Sequence, residues 1–526
     1  MADVTAFQDL VKQGYTFKGE AFRAGTAMLG GEAMKGADVM IPLRTLNRHG
    51  LIAGATGTGK TKTLQVLAEA LSDASVPVLL MDIKGDLSGI AAAGVSNERI
   101  MERMSRMGGD YLPAAFPVEL LTLSKEAGVR LRATVSEFGP VLLSKILGLN
   151  DTQEGVVSMI FKYCDDHKMP LLDLKDFIKV LQYVGNEGKA AIEKEYGKIS
   201  TTTTGTILRK VIELQQQGAD VFFGEPSFEV DDLMRISDDG RGIVNVLRVT
   251  DMQNRPKLFS TFMLSLLAEL YATLPEEGDM DKPKLVLFID EAHLVFQEAT
   301  QALLQQIETV IKLIRSKGVG IFFCTQNPQD VPAAVLSQLG LKIQHALRAF
   351  TAADRKTIRQ AAENYPESDF YDVDELLTQL GTGEAFVTVL NEKGIPTPLV
   401  HTMLLAPRSR MDVLSDAEIN ALVGSSKLAR KYAEVEDSHS AYEILNAKLE
   451  EAAALTAEKE AAKEAGKTSA KSSSRKQEKS TLEKVLDNSV TRQIGRTATS
   501  TIVRGLLGAL GLGGRSTSRR KKGSWF

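Results

Sequence analysis

Residues Gly54-Ala55-Thr56-Gly57-Thr58-Gly59-Lys60-Thr61 fit the phosphate-binding pattern G-x-x-x-x-G-K-[ST] without a mismatch. The apolar run Leu51-Ile52-Ala53 before them reads as a strand. Lys62 to Leu71 after them have helical periodicity. Strand, glycine loop and helix together are the context that makes the pattern a site. Glycines let backbone N–H groups curl around phosphate oxygens, and the positive end of the helix adds favourable potential. Lys60 is expected to reach the β- and γ-phosphates and Thr61 to hold Mg²⁺. The expected nucleotide contacts are Gly54, Ala55, Thr56, Gly57, Thr58, Gly59, Lys60, Thr61 and Lys62.

A second motif complements the first. The continuous apolar run Leu285 to Ile289 marks a strand buried on both faces, and it ends in Asp290-Glu291. Carboxylates there lie at the carboxyl end of the strand, where open α/β sheets bind ligands. Asp290 is expected to hold Mg²⁺ and Glu291 to orient and polarise the attacking water. The strand Gly320 to Thr325 should lie beside the Asp290 strand. It ends at Gln326, a candidate for touching the γ-phosphate or the water, although a polar strand cap reads equally well. Arg315 and Arg348 are two candidates for the extra cation that phosphoryl transfer uses, and a solvated surface arginine is the competing reading for each. Asp82 and Asp86 end another strand, Val76 to Met81. They are expected to fix its turn and border the nucleotide, leaving Lys84 free for a partner. His49 and His293 flank the two motifs, where bordering the nucleotide and ordinary packing are equal readings. His167, His345, His401 and His439 form no evident set.

Strands at 118–123, 242–249, 342–347 and 385–390, with helices at 258–274 and 300–317, complete an alternating pattern. It implies a mostly parallel sheet covered on both sides. The organisation expected is a Gly/Ala-rich lead-in (1–40), a nucleotide-binding core (41–414) with a helical insertion at about 136–218, a helical extension (415–465) and a disordered basic tail (466–526). After Asp487 eight basic residues and no acidic one occur, so the net charge of −4 conceals a more acidic body. Cys164 and Cys324, both in apolar stretches, read as buried thiols of a reducing compartment. The N-terminus lacks the form of a signal peptide and no apolar run reaches the ~20 residues of a membrane span, so a cytoplasmic protein is expected.

The motifs as a set resemble the HerA/FtsK branch of ring-forming P-loop ATPases, and within it the HerA-like bacterial subgroup called YjgR-like. The resemblance rests on Arg48 to Thr61, on Asp82-Ile83-Lys84-Gly85-Asp86-Leu87, on Phe288 to Leu294, and on Arg315 to Gly320 running into Thr325-Gln326-Asn327-Pro328. It implies an α/β P-loop NTPase fold of the RecA/ASCE type, ATP and Mg²⁺ as cofactors, and a homo-oligomeric, hexameric ring that moves double-stranded DNA through a channel. It also implies Gln326 as γ-phosphate sensor and Arg315 as a finger acting on the neighbouring subunit. HerA proper carries a β-barrel before its core, whereas about forty residues precede the core here.

Two function classes follow. One is an ATP-driven DNA translocase or helicase, with the basic tail gripping phosphates without reading sequence. The other is a nucleotide-gated switch or scaffold acting on a protein partner. The acidic body, the Ala/Glu/Lys helix of 441–463 and the glycine-rich apolar stretch 505–512 favour the second; that stretch could also touch an anionic membrane surface.

Overall fold

The computed structural model describes residues 4–250, 255–278, 280–296, 301–349, 351–434 and 438–466. Beyond its first residue, the tail expected over 466–526 lies outside them. The chain divides into two compact units, Met1–Leu131 with Phe228–Glu434, and Arg132–Ser227 with Val435–Phe526.

The first unit is built on one sheet. Its strands are β1 (Ala21–Leu29), β2 (Glu32–Pro42), β3 (Gly50–Ala53), β4 (Val78–Asp82), β5 (Val118–Thr122), β6 (Val129–Arg130), β7 (Val244–Arg248), β8 (Leu285–Ile289), β9 (Val319–Thr325), β10 (Leu341–Gln344), β11 (Glu384–Thr388) and β12 (Val400–Leu404). Their spatial order is β2-β1-β12-β11-β10-β3-β9-β8-β4-β7-β5-β6. From β10 to β6 every pairing is parallel; from β10 to β2 every pairing is antiparallel. Helices Lys60–Asp73, Pro256–Thr273 and Gln301–Ile314 make crossovers between parallel strands. They explain why β3, β4, β8 and β9 are buried at every position: a parallel sheet must be covered on both faces. Ile52, Leu64, Leu67, Leu80, Phe288 and Phe322 share the resulting core.

Register places the site. Ala53 pairs with Thr325, Phe323 with Ile289, and Ile289 with Met81. The carboxyl ends of β3, β9, β8 and β4 therefore emerge nearly level, with Asp290 and Glu291 one and two residues beyond the last β8–β9 pair.

The segment expected as a lead-in is structured. Helix Val4–Gly14 buries Phe7 and Val11. The β1–β2 hairpin turns at Gly30 and Gly31, whose φ angles of 61° and 85° suit a tight hairpin that side chains would strain. Tyr15 then donates to the carbonyls of Val387 and Pro398, both at 2.8 Å.

The second unit is helical. Helices Asp151–Asp166, Leu174–Gly185 and Thr201–Gln216 bury Ile160, Phe177, Val180, Ile207 and Val211. Asn150 and Asp173 each start a helix with a reciprocal capping box. Helix Ala441–Gly466 joins this unit: Leu445 is buried, and the Tyr442 N–H donates to Asp176 at 2.9 Å. The helical extension expected over 415–465 is thus divided, since Asp416–Ser425 belongs to the sheet unit. No helix among the described residues is long and apolar enough to cross a membrane.

Candidate nucleotide site

The glycine loop connects β3 to helix Lys60–Asp73. Gly54, Gly57 and Gly59 have φ angles of 153°, 79° and 112°, which side-chain-bearing residues rarely adopt. Two of them also admit close neighbours. A Cβ on Gly54 would lie 2.5 Å from Cβ of His345, and one on Gly59 would lie 3.1 Å from the nitrogen of Gly383. No side chain caps the helix that follows, so its first-turn N–H groups are presented to an anion. Lys60 is buried and folds over the loop, donating to the carbonyls of Gly54 (2.6 Å) and Ala55 (3.2 Å). Thr61 is half-buried in the first helical turn. Lys62 points elsewhere: its ammonium donates to the carbonyl of Met411 at 2.5 Å, leaving its backbone as the part that belongs to the first turn.

Across β9 stand the two carboxylates. Asp290 and Glu291 are 3% and 6% exposed. Burial pushes the Asp290 carboxyl up to about 6; Lys84 opposes that rise and Glu291 adds to it. Lys60 falls below the ordinary lysine value, first because it is buried and then because Lys84 repels it, while Glu291 and Asp290 pull the other way. Lys60, Lys84, Asp290 and Glu291 thus form one compensated group of two cations and two anions. Glu291 has a φ of 46°, a left-handed backbone that costs a side-chain-bearing residue about 1 kcal/mol or more and concentrates at functional sites.

Lys84, expected to be free, forms an ion pair with Oε1 of Glu291. Nδ1 of His293 lies 3.2 Å from Oε2 of the same carboxylate. Asp82 fixes the turn that presents Lys84, accepting from the N–H groups of Gly85, Asp86 and Leu87 at 2.7, 3.1 and 3.1 Å.

The other candidates separate by place. Gln326 and Arg348 line a cleft of about 520 Å³ together with Ala55, Thr56 and Asn327. Arg315 is exposed and lies just before β9, at the amino end of the sheet. The length of β9 puts it roughly 20 Å from the loop. His49 also lies at that end. It is buried, accepts from the Ile321 N–H at 3.1 Å and faces the Ile311 carbonyl at 2.8 Å, so it is a packed core histidine rather than a nucleotide neighbour.

Two supports escaped the sequence reading. Nε2 of His345 meets the Thr63 hydroxyl at 2.9 Å, joining β10 to the loop helix. The Gly383 N–H donates to the carbonyl of Thr58 at 2.9 Å, and Arg103 bonds the carbonyls of Leu404 and Gly383. Nothing in local spacing marks either, because each contact joins segments far apart in the chain.

The residues suit a magnesium–nucleotide complex. Oδ2 of Asp290 is buried and lacks a hydrogen-bond partner among the described residues. No cluster of three or more His, Cys, Asp or Glu occurs there that could hold a metal alone. Mg²⁺ typically takes one or two protein ligands and completes its shell with phosphate oxygens and water. One acidic side chain beside a phosphate loop matches that habit.

Asp290 yields a pH test. Its folded-state value lies above the ordinary 3.8, so the folded protein holds the proton more tightly than the unfolded chain does. The cost of burying the charge is absent below about pH 4 and fully present above about pH 6, on the order of 3 kcal/mol. In magnesium-free buffer, Asp290→Asn should therefore melt above the wild type at pH 8 and lose that advantage by pH 4. Melting curves with a pH-independent difference would refute the assignment of that cost to Asp290.

A phosphate loop and an acidic strand end, separated by one intervening strand, define a P-loop ATPase of the additional-strand class. The family described as "Helicase HerA-like C-terminal" matches residues 28–517, and the chain belongs to it. Among characterised relatives, the "DNA double-strand break repair helicase HerA" of Sulfolobus acidocaldarius is 22% identical over 382 residues, 72% of this chain and 69% of that one. Its namesake from Sulfurisphaera tokodaii is 23% identical over 370 residues, 70% and 67% of the two chains. Among solved structures, the bacterial conjugative coupling protein TrwBdeltaN70 is similar at 14% identity and a TM-score of 0.48, covering 77% of this chain and 93% of that one.

Proposed function

We propose that this ATPase is a magnesium-dependent motor that moves along double-stranded DNA as a homo-oligomeric, hexameric ring in the cytoplasm. The observation that carries the reading is the convergence of Lys60, Asp290 and Glu291 at the level ends of β3 and β8, in a chain of the HerA-like family. DNA as the track is supported by the relatives, which are DNA double-strand break repair helicases.

The loop N–H groups and Lys60 bind and orient the β- and γ-phosphates. Thr61 and Asp290 hold Mg²⁺, which supplies charge stabilisation when bound. Glu291 accepts a hydrogen bond from the attacking water and aligns it, and Gln326 steadies the γ-phosphate end. Arg348 lies on the same subunit's cleft and serves there in cis. Arg315, at the far end of the sheet, serves the neighbour's site.

Duplex DNA at low salt should raise ATP turnover several-fold, and the rise should fade as salt screens phosphate contacts. Turnover measured across a salt series tests this. Stimulation absent at every salt would reject DNA as the track and favour the second reading, a nucleotide-gated switch acting on a protein partner.

A further inference from the structure

The carboxylate assigned to the attacking water has one oxygen held in an ion pair and no hydrogen bond to either oxygen among the described residues. Oε1 of Glu291 is paired with Lys84, and Oε2 lies 3.2 Å from Nδ1 of His293. A base that is to accept from water needs an oxygen free within about 3 Å of it. The Lys84 ammonium therefore occupies Oε1, one of the two places where that water could donate.

The restraint is built rather than casual. Lys84 is delivered by a turn in which one buried carboxylate, Asp82, takes three consecutive N–H groups. Gly85 turns the chain at a φ of 78°, and a Cβ there would lie 3.1 Å from the Thr250 side chain. The partner, Glu291, is fixed by its own left-handed backbone. The two ends of the pair differ in access. The Lys84 side chain is 37% exposed and that of Glu291 8%. An ammonium within reach of solvent is the member that an incoming anion can capture, and the flexible lysine stem lets it move.

We propose that Lys84 is a positioning residue that restrains Glu291, and that a phosphate oxygen drawing the ammonium away frees the carboxylate for the water. The inference rests on Glu291 acting in hydrolysis. Phosphate could come from the γ-position of the nucleotide or from a DNA backbone. In either case no bond forms or breaks in the release: one ion pair is exchanged for another.

The test is steady-state ATP turnover of full-length Lys84→Met, Lys84→Arg and Glu291→Gln, each with and without duplex DNA, with melting curves to verify folding. Lys84→Met should turn over several-fold faster than wild type without DNA, at little change in KM, and Lys84→Arg should restore the restraint. If DNA then adds nothing further, the releasing phosphate is the backbone's. If DNA still stimulates by the wild-type ratio, it is the nucleotide's. A folded Lys84→Met that is slower than wild type or equal to it overturns the proposal. Full activity of Glu291→Gln would instead overturn the underlying role of Glu291, which keeps the two failures apart.

Discussion

Replacing Glu291 with glutamine should leave a protein that binds ATP and hardly hydrolyses it. The amide preserves size and one acceptor oxygen, so the loop and its contacts with phosphate persist. What is lost is the negative charge that polarises the water, a contribution of roughly 10²–10⁴-fold in general-base catalysis. The relevant measurements are a binding isotherm with a fluorescent ATP analogue and a single-turnover hydrolysis rate. Wild-type affinity with a rate lowered at least a hundredfold is expected. A comparable loss of affinity would mean that the residue supports the fold of the site rather than the reaction. The structure gives reason to separate the two, because Glu291 adopts a strained backbone and is paired with Lys84. Removing its charge leaves a half-buried ammonium with Asp290 and Asp86 as acidic neighbours.

Lys60→Ala should be as damaging and should differ in kind. Lys60 is buried over its own loop, and its charge balances Asp290 and Glu291. Without it the phosphates lose a buried cation in a place where water screens little, and an acidic pair only half balanced by Lys84 faces the incoming triphosphate. Turnover should fall at least a hundredfold and ATP affinity about tenfold or more, in proportion to one lost charge-assisted contact. Isothermal titration and phosphate release measure the two effects. Near-wild-type turnover would remove the glycine loop from the mechanism.

The parts of the site that were legible in the sequence are those whose chemistry is local. A glycine loop between an apolar strand and a helix advertises its backbone. Leu285 to Ile289 followed by two acids advertises a buried strand and its end, and the structure gives that strand the same bounds. The strand at Gly320 does lie beside the Asp290 strand. Less legible were elements defined by distant partners. The strands β1 and β2 lack a clean alternation of apolar and polar residues, and β1 finds its second neighbour in β12, far along the chain. β12 itself, Val-His-Thr-Met-Leu by sequence, carries polar residues that are buried only because the sheet surrounds them. The Lys84–Glu291 pair joins residues just beyond the ends of separate strands, and spacing along the chain holds no trace of it. His49 shows the converse: it adjoins the phosphate-loop strand in sequence, yet it enters the sheet at the end away from the loop.

The position of Arg315 limits how copies of the chain can associate. Glycine loop and Arg315 lie at opposite strand ends of one sheet, so a subunit does not bring its own Arg315 to its own phosphates. In a two-fold, isologous dimer an Arg315 that reached its partner's loop would do so reciprocally, both centres being completed across one interface. A heterologous contact, in which one subunit's back meets the next one's front, would also let Arg315 complete a neighbour's centre. Heterologous contacts either close by rotation or propagate without end, whereas a reciprocal two-fold contact stops at a dimer, so the assembly that uses this arginine is set by which of the two contacts forms.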